Sequence, residues 1–312
     1  MNRPSSLTAT AAFLVLAWPI ADAHAHGFAG ERFFPATIQT DDPFVADEMS
    51  LPTLTRNPTD ATGGQSYSIE ADIAKRITPD IDITLADQWN YFQPKGAAAT
   101  HGFDDLVVGT QYQLFINGPH EAMGLIGLSA TLGHTGAVNG GQADDHTTLS
   151  PTFDFGKGLG DLPDTVAYIR PFAITGNLSV DFPTKVNSNG TLNQNVFNAG
   201  VAIEYSFEYL QNHVRDVGLR PPFNRLIPLV EITSATPLNR GVSLGTTNNL
   251  GNATTGVIAP GVIWAGQYYQ LGLEAIIPYG EGQGHGVGAL FQFHLYLDDL
   301  FPRSFGRPLF NY

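Results

Sequence analysis

Tyr67-Ser68-Ile69-Glu70-Ala71-Asp72-Ile73 is apolar at every odd position and polar at every even one. Successive side chains of an extended chain point to opposite faces, so this stretch is a strand with one greasy and one wet face. Asp80-Ile81-Asp82-Ile83-Thr84-Leu85 repeats the pattern. Leu106, Val108, Tyr112, Leu114 and Ile116 share one face, against Gly109, Gln111 and Gln113 on the other. Phe197, Ala199, Val201, Ile203, Tyr205 and Phe207 oppose Asn198, Gly200, Glu204, Ser206 and Glu208. Tyr269, Leu271, Leu273 and Ile277 oppose Gln270, Gly272 and Glu274, while Val287, Ala289, Phe291, Phe293, Leu295 and Leu297 oppose Gly288, Gln292, His294 and Asp298. Less regular strands fall near 47–55, 122–133, 147–157, 166–180, 226–236 and 255–264, which brings the expected total to about twelve.

Alternating strands also build soluble sandwiches with one wet face. Two features point instead to a transmembrane barrel. The apolar faces carry bulky residues over roughly nine or more positions, the length a tilted strand needs to cross a bilayer. The connections also alternate in length. Short turns are expected at Thr78-Pro79, at Asn117 to His120, at Gly158 to Asp164 and at Ala265-Gly266, with long polar loops near 90–104, 134–146, 181–194, 237–253 and 279–286 between them. A chain threaded up and down through a membrane has short periplasmic turns and longer outer loops. One connection, 209–225, is long where a short turn is expected. Inside lipid an open sheet edge would leave backbone groups unsatisfied, so the expected fold is a closed, all-β, antiparallel up-and-down β-barrel. Trp89, Tyr91, Phe92, Trp264, Tyr268, Tyr269 and Tyr279 stand near strand ends, where amphipathic rings favour the headgroup layer.

Composition sets the compartment. Met1 to Ala25 carries an early cation (Arg3), an apolar run from Ala9 to Ile20, and small residues that permit signal-peptide cleavage after Ala23 or Ala25. The remaining 26–46, with Phe28, Phe33, Phe34, Pro35 and Phe44 but no strand period, reads as a periplasmic tail or a plug. The barrel is expected over 47–302, followed by a C-terminal tail, 303–312. The chain has no cysteine, which excludes disulfides and thiolate metal sites. Its net charge of −14 argues against nucleic acid as a partner. Only 14% of residues are charged, with 34 Gly and 20 Phe among 312, as an apolar outer band around a polar interior requires. The expected location is the cell outer membrane, with lipids, small-molecule solutes and the barrel-assembly machinery as partners and no cofactor.

Gly102-Phe103-Asp104-Asp105-Leu106-Val107-Val108-Gly109-Thr110-Gln111-Tyr112 resembles a strand of the outer-membrane family of transporters assigned to the meta-pathway of phenol degradation. Pro228-Leu229-Val230-Glu231-Ile232, Pro260-Gly261-Val262 and Phe293-His294-Leu295-Tyr296-Leu297-Asp298-Asp299-Leu300-Phe301-Pro302 are similar to its later strands. The likeness runs over most of 47–302 in short motifs. It implies a barrel that takes up small, often aromatic compounds, and it brings no catalytic residues. Gly288-Ala289-Leu290-Phe291-Gln292-Phe293 is also similar to the assembly signal of outer-membrane barrels. Gly286 replaces the polar residue expected ahead of that motif, and the chain runs on to Tyr312.

Alternation sends Glu70, Asp72, Asp82, Gln111, Gln113, Glu204, Glu208, Glu231, Gln270, Glu274 and Gln292 into the lumen. Carboxylates lining a pore favour cations and hold water. The competing reading is a narrow filled interior with carboxylates paired to Lys75 or Arg170, since about eight strands leave no channel and sixteen leave a wide one. Cleavage after Ala23 would expose His24-Ala25-His26, a tetragonal nitrogen site of the kind Cu(II) and Ni(II) prefer, and cleavage after Ala25 would expose His26 itself; the competing reading is a solvated terminus with incidental histidines. His101 with Asp104 and Asp105, and His134 with Asp144, Asp145 and His146, cluster in expected outer loops that need no metal to look this way. A membrane-embedded lipid hydrolase would need a Ser–His pair on the lipid-facing rim, whereas His294 is expected in the lumen and no serine stands at a recognisable spacing from it. Gly-Xaa-Ser-Xaa-Gly, paired metal histidines and a phosphate loop are missing. The leading expectation is a channel or transporter for small, often aromatic or hydrophobic molecules, with a plugged structural or adhesion barrel as the alternative.

Overall fold

The computed structural model describes residues 27–137, 143–188, 191–238, 253–280 and 284–310. The leader and the histidine pair His24 and His26 lie outside the described residues. Twelve long strands form the wall: β1 (Glu48–Arg56), β2 (Gln65–Thr78), β3 (Ile81–Gln93), β4 (Val107–Asn117), β5 (Ala122–Thr131), β6 (Thr148–Gly158), β7 (Phe172–Pro183), β8 (Val196–Tyr205), β9 (Leu226–Pro237), β10 (Thr255–Ala265), β11 (Tyr269–Gly280) and β12 (Gly288–Tyr296). Each pairs antiparallel with its neighbours in sequence, and β12 pairs with β1 through Tyr296↔Glu48 and Ala289↔Arg56. That seam closes the sheet, so no backbone edge meets lipid.

The two faces separate as a membrane wall requires. Ile83 and Leu273 point outward at 50% and 55% exposure, and Ile69, Leu128 and Ile203 do the same on their strands. Their neighbours one position away, Asp82, Glu204 and Glu274, are buried in the interior. Bulky apolar side chains facing out all round a closed barrel form the lipid-contacting belt. Aromatic rings gather at both rims. Tyr67 and Tyr91 lie 6.3 Å apart towards the long-loop rim, and Trp264 and Tyr269 lie 5.4 Å apart at the short-turn rim. Among the described residues no helix is long and apolar enough to cross a membrane.

Three boundaries differ from the sequence reading. The strand expected over 166–180 begins only at Phe172, because Asp164–Ile169 forms a 3-10 turn behind Pro163. The strand expected to reach Phe207 stops at Tyr205. Ser206 then caps a short helix, its hydroxyl accepting from the Tyr209 amide at 3.1 Å, and the chain coils through Val214. β12 ends at Tyr296, so Asp298 sits on a helical turn rather than on a strand.

The short-turn end is held by side chains. Asp47, immediately before β1, accepts from the Arg76 amide at 2.8 Å and the Arg76 guanidinium at 2.9 Å, and it also bonds Lys75. Its carbonyl accepts from the Leu297 amide just past β12. One residue thus ties the first strand, the second strand and the end of the last.

Residues 27–46 lie inside the wall. Phe28–Ala29 and Arg32–Phe33 make a small ribbon at the short-turn end. Phe34 and Phe44 pack with Ala29, Ala46, Met123 and Ala173, and Phe33 and Ile38 pack on Ile227, Leu229, Ile263 and Ala265. This packing explains the irregular strands. The inward positions of β5 and β9 are apolar because they meet the inner segment rather than water, so their two faces do not contrast.

Candidate functional site: the barrel lumen

A chain segment running through a barrel has no neighbouring strand, so its backbone groups need other partners. The wall supplies them from the polar face of its strands. On β9, Glu231 accepts from the Ile38 amide at 3.1 Å, from the Gln39 amide, and from the Thr40 hydroxyl at 3.4 Å. On β4, Gln113 accepts from the Val45 amide at 2.9 Å and donates to the Pro43 carbonyl at 3.1 Å. Gln270 on β11 donates to the Ala36 carbonyl and accepts from Tyr296 at 2.9 Å. Asn177 on β7 donates to Asp41 at 2.9 Å. The segment's own turn is closed by Asp42, which accepts from the Thr37 amide at 2.7 Å. Gly272 on β11 leaves room for the Ile38 side chain, into which any added Cβ would collide.

This turn separates two polar cavities. One of about 390 Å³ is lined by β1, β2 and β12 with Asp41, Asp42 and Gln111; the other, about 240 Å³, is lined by Gln39, Asn177, Asn198, Thr233 and Ser234. A third, about 390 Å³, lies at the short-turn end among Phe28, Phe33, Tyr209, His213, Arg225 and Ile227. It is built by the long connection after β8, the one that breaks the short-turn pattern.

Among the sequence-derived lumen residues, Asp82, Gln113, Glu204, Glu231, Gln270, Glu274 and Gln292 are buried on the inner face. Glu70, Asp72 and Gln111 are half-buried and line the larger lumenal cavity. Glu208 is a correction: it lies on the helix after β8, exposed at the short-turn rim, because the strand ends at Tyr205. Lys75 and Arg170 do not neutralise the lumen either, since Lys75 pairs with Asp47 and Arg170 with Asp164 at the rim. Glu204 keeps both carboxylate oxygens without a hydrogen bond among the described residues.

In the outer loops the acids next to the histidines have partners within the chain. Asp145 bonds Lys185 and Ser188 and lies 3.2 Å from His146, which holds its carboxyl well below the usual range. Asp105 accepts the amides of Thr135, Gly136 and Asp144, so it organises the loop around His134. No three acids and imidazoles converge on a metal-sized point among the described residues.

Sequence spacing missed one constellation. Ser50 and His294 face each other across the β1–β12 seam, Oγ to Nδ1 at 3.0 Å, and His294 Nε2 stands 3.3 Å from Glu48. Only barrel closure brings positions 244 residues apart together, so no local motif could have found them. Hydroxyl, imidazole and carboxylate in contact are the parts of a hydrolase. Here all three side chains are buried on the inner face of the wall.

No family model matches the chain, and no curated protein matches it. Among solved structures, an outer membrane channel from Pseudomonas putida F1 is similar with a TM-score of 0.59 at 11% identity, covering 84% of this chain and 99% of that one. The beta domain of a Bordetella autotransporter has a TM-score of 0.46 at 10% identity, covering 80% of this chain and 99% of its own. The KdgM porin has 0.43 at 9%, with 79% and 98% covered. The first likeness is one of fold, and the two lower scores add nothing to it. With the closed wall and the apolar belt, it makes this chain an outer-membrane β-barrel.

Proposed function

We propose that the protein is a channel for small solutes across the outer membrane, and that residues 27–46 are a plug seated in its lumen. The observation that carries this reading is the grip of Glu231 on Ile38, Gln39 and Thr40, which holds a single turn of chain between two polar cavities. Such an arrangement is economical to open. The turn itself is held by a few side-chain hydrogen bonds rather than by strand pairing, and net hydrogen bonds to charged groups contribute about 1.5–3 kcal/mol each. Moving the turn joins the cavities and leaves a wall rich in carboxylates, which favours cations over anions.

The resemblance to the meta-pathway family extends the proposed cargo to small aromatic compounds. The apolar lining of the short-turn cavity, Phe28, Phe33 and Ile227, offers such rings a surface of matching character. Osmotic swelling of proteoliposomes tests the reading. Swelling in a small neutral sugar and in phenylethylamine, faster than in protein-free liposomes, is the expected result; no swelling in any solute removes the channel.

A further inference from the structure

The seam of the barrel carries a polar array that the conduit reading does not use. Cross-strand register places Gln292 on β12 beside Thr53 on β1, and Thr53 beside Glu70 on β2. The next inward row sets His294 beside Ser50 and Ser50 beside Asp72. A bulge spanning Ser50 to Thr53 on β1 keeps both rows facing inward, with Leu51 left outside. Each row thus runs amide or imidazole, hydroxyl, carboxylate across three strands.

The rows differ in satisfaction. In the second, the Ser50 hydroxyl meets His294 Nδ1 at 3.0 Å, with Asp72 next to it in register. In the first, the Gln292 carbonyl oxygen and the Thr53 hydroxyl are 93% or more buried and have no hydrogen-bond partner among the described residues. Buried polar atoms without partners are uncommon in native proteins, and each calls for an explanation. Both line the larger lumenal cavity, together with the Glu70 carboxylate. Three acceptors on one row match the three donors of an ammonium group.

Charge points the same way. Asp41, Asp42, Glu48, Glu70 and Asp72 all line that cavity, with His294 as its one basic residue. Carboxylates held away from bulk water favour a cation beside them. Glu70 and Asp72 are two residues apart on one strand, hence about 6.7 Å apart along it. A chain of four methylenes carries its two nitrogens about that far apart.

We propose that this array binds a short aliphatic diammonium ion, one ammonium on Gln292, Thr53 and Glu70 and the other on Asp72 and Glu48. The proposal rests on the lumen reading only for the route by which the ion arrives; binding needs no conductance. Calorimetry of the folded, detergent-solubilised barrel at 0.15 M salt, with 1,4-diaminobutane as the probe and 1-butylamine as the single-charge control, tests it. The expected result is binding of the diamine at least about tenfold tighter than the monoamine, a difference of about 1.4 kcal/mol. Gln292→Leu and Glu70→Gln should each lose about tenfold while keeping the heat-modifiable mobility of a folded barrel; Asp87→Asn, outside the array, should bind as before. Equal binding of the two amines, no binding, or an unchanged affinity in folded Glu70→Gln overturns the proposal. A barrel that binds the diamine but passes no solute would end the channel reading and leave the site standing.

Discussion

Arg32 and Glu121 form a buried ion pair, Nε to Oε2 at 3.1 Å, that fastens the inner segment to the turn between β4 and β5. The guanidinium also donates to the carbonyls of Pro171 and Arg170, and it lies 3.7 Å above the Tyr209 ring, whose hydroxyl donates to Glu121 at 2.7 Å. The pair therefore joins three separate rim connections to the segment. Removing one partner of a buried pair strands the other charge, at about 3–5 kcal/mol. Arg32→Ala should expose residues 27–46 to protease added at the short-turn side, whereas Asp164→Ala at the exposed rim pair should not. Equal resistance of Arg32→Ala and wild type would remove the pair from the anchoring.

Tyr209 gives this anchor a pH limit. Burial, with the Glu121 carboxylate as acceptor beside it, pushes its phenol up to about 12. Unfolded, the group ionises near 10. Because the folded form keeps the proton longer, its contribution is complete below pH 10 and fades as pH rises through 12. The tyrosinate absorbance lost in Tyr209→Phe should titrate near 12, and protease access to the segment should rise over the same interval. A missing component that titrates near 10 contradicts the burial argument.

Gly30 is where the ribbon crosses the β4–β5 turn. Its φ is +62°, in the left-handed region, and an added Cβ would collide with the backbone of Gly118. Gly30→Ala should therefore loosen the ribbon by about 1–3 kcal/mol of backbone strain, read as faster hydrogen exchange at Phe28 to Phe34. Unchanged exchange there would show that the crossing tolerates a side chain.

Phe34 is fully buried against Met123 and Ala173. Truncating a buried aromatic costs about 3–5 kcal/mol. Phe34→Ala should raise conductance or solute uptake by freeing the segment, while the wall keeps its heat-modifiable mobility. Loss of the folded band instead would mean that the wall depends on the segment.

Alternation made the wall legible from sequence. In β2, β8, β11 and β12 lipid outside and polar groups inside leave opposite signatures at odd and even positions. Where the inner face packs on protein, as with Met123 and Leu125 on β5 or Ile227 and Leu229 on β9, both faces are apolar and the signal fades. The same blindness hid the lumenal array. Glu70, Asp72 and Gln292 lie on cleanly alternating strands, but Ser50 and Thr53 flank a bulge that breaks the period on β1. Their meeting with His294 and Gln292 exists only once the first and last strands pair. Glu208 failed for a local reason: Ser206 caps a helix where the apolar-polar rhythm happens to continue.

The role of the inner turn is tested most directly by single-channel recording in planar bilayers with the turn pinned. Asp41 and Asn177 touch at 2.9 Å, and the chain has no cysteine of its own. Asp41→Cys and Asn177→Cys can therefore be bridged by a short bis-maleimide. Openings before bridging and their loss afterwards are the expected result. Undiminished conductance through the bridged barrel would contradict the claim that this turn of chain closes the lumen.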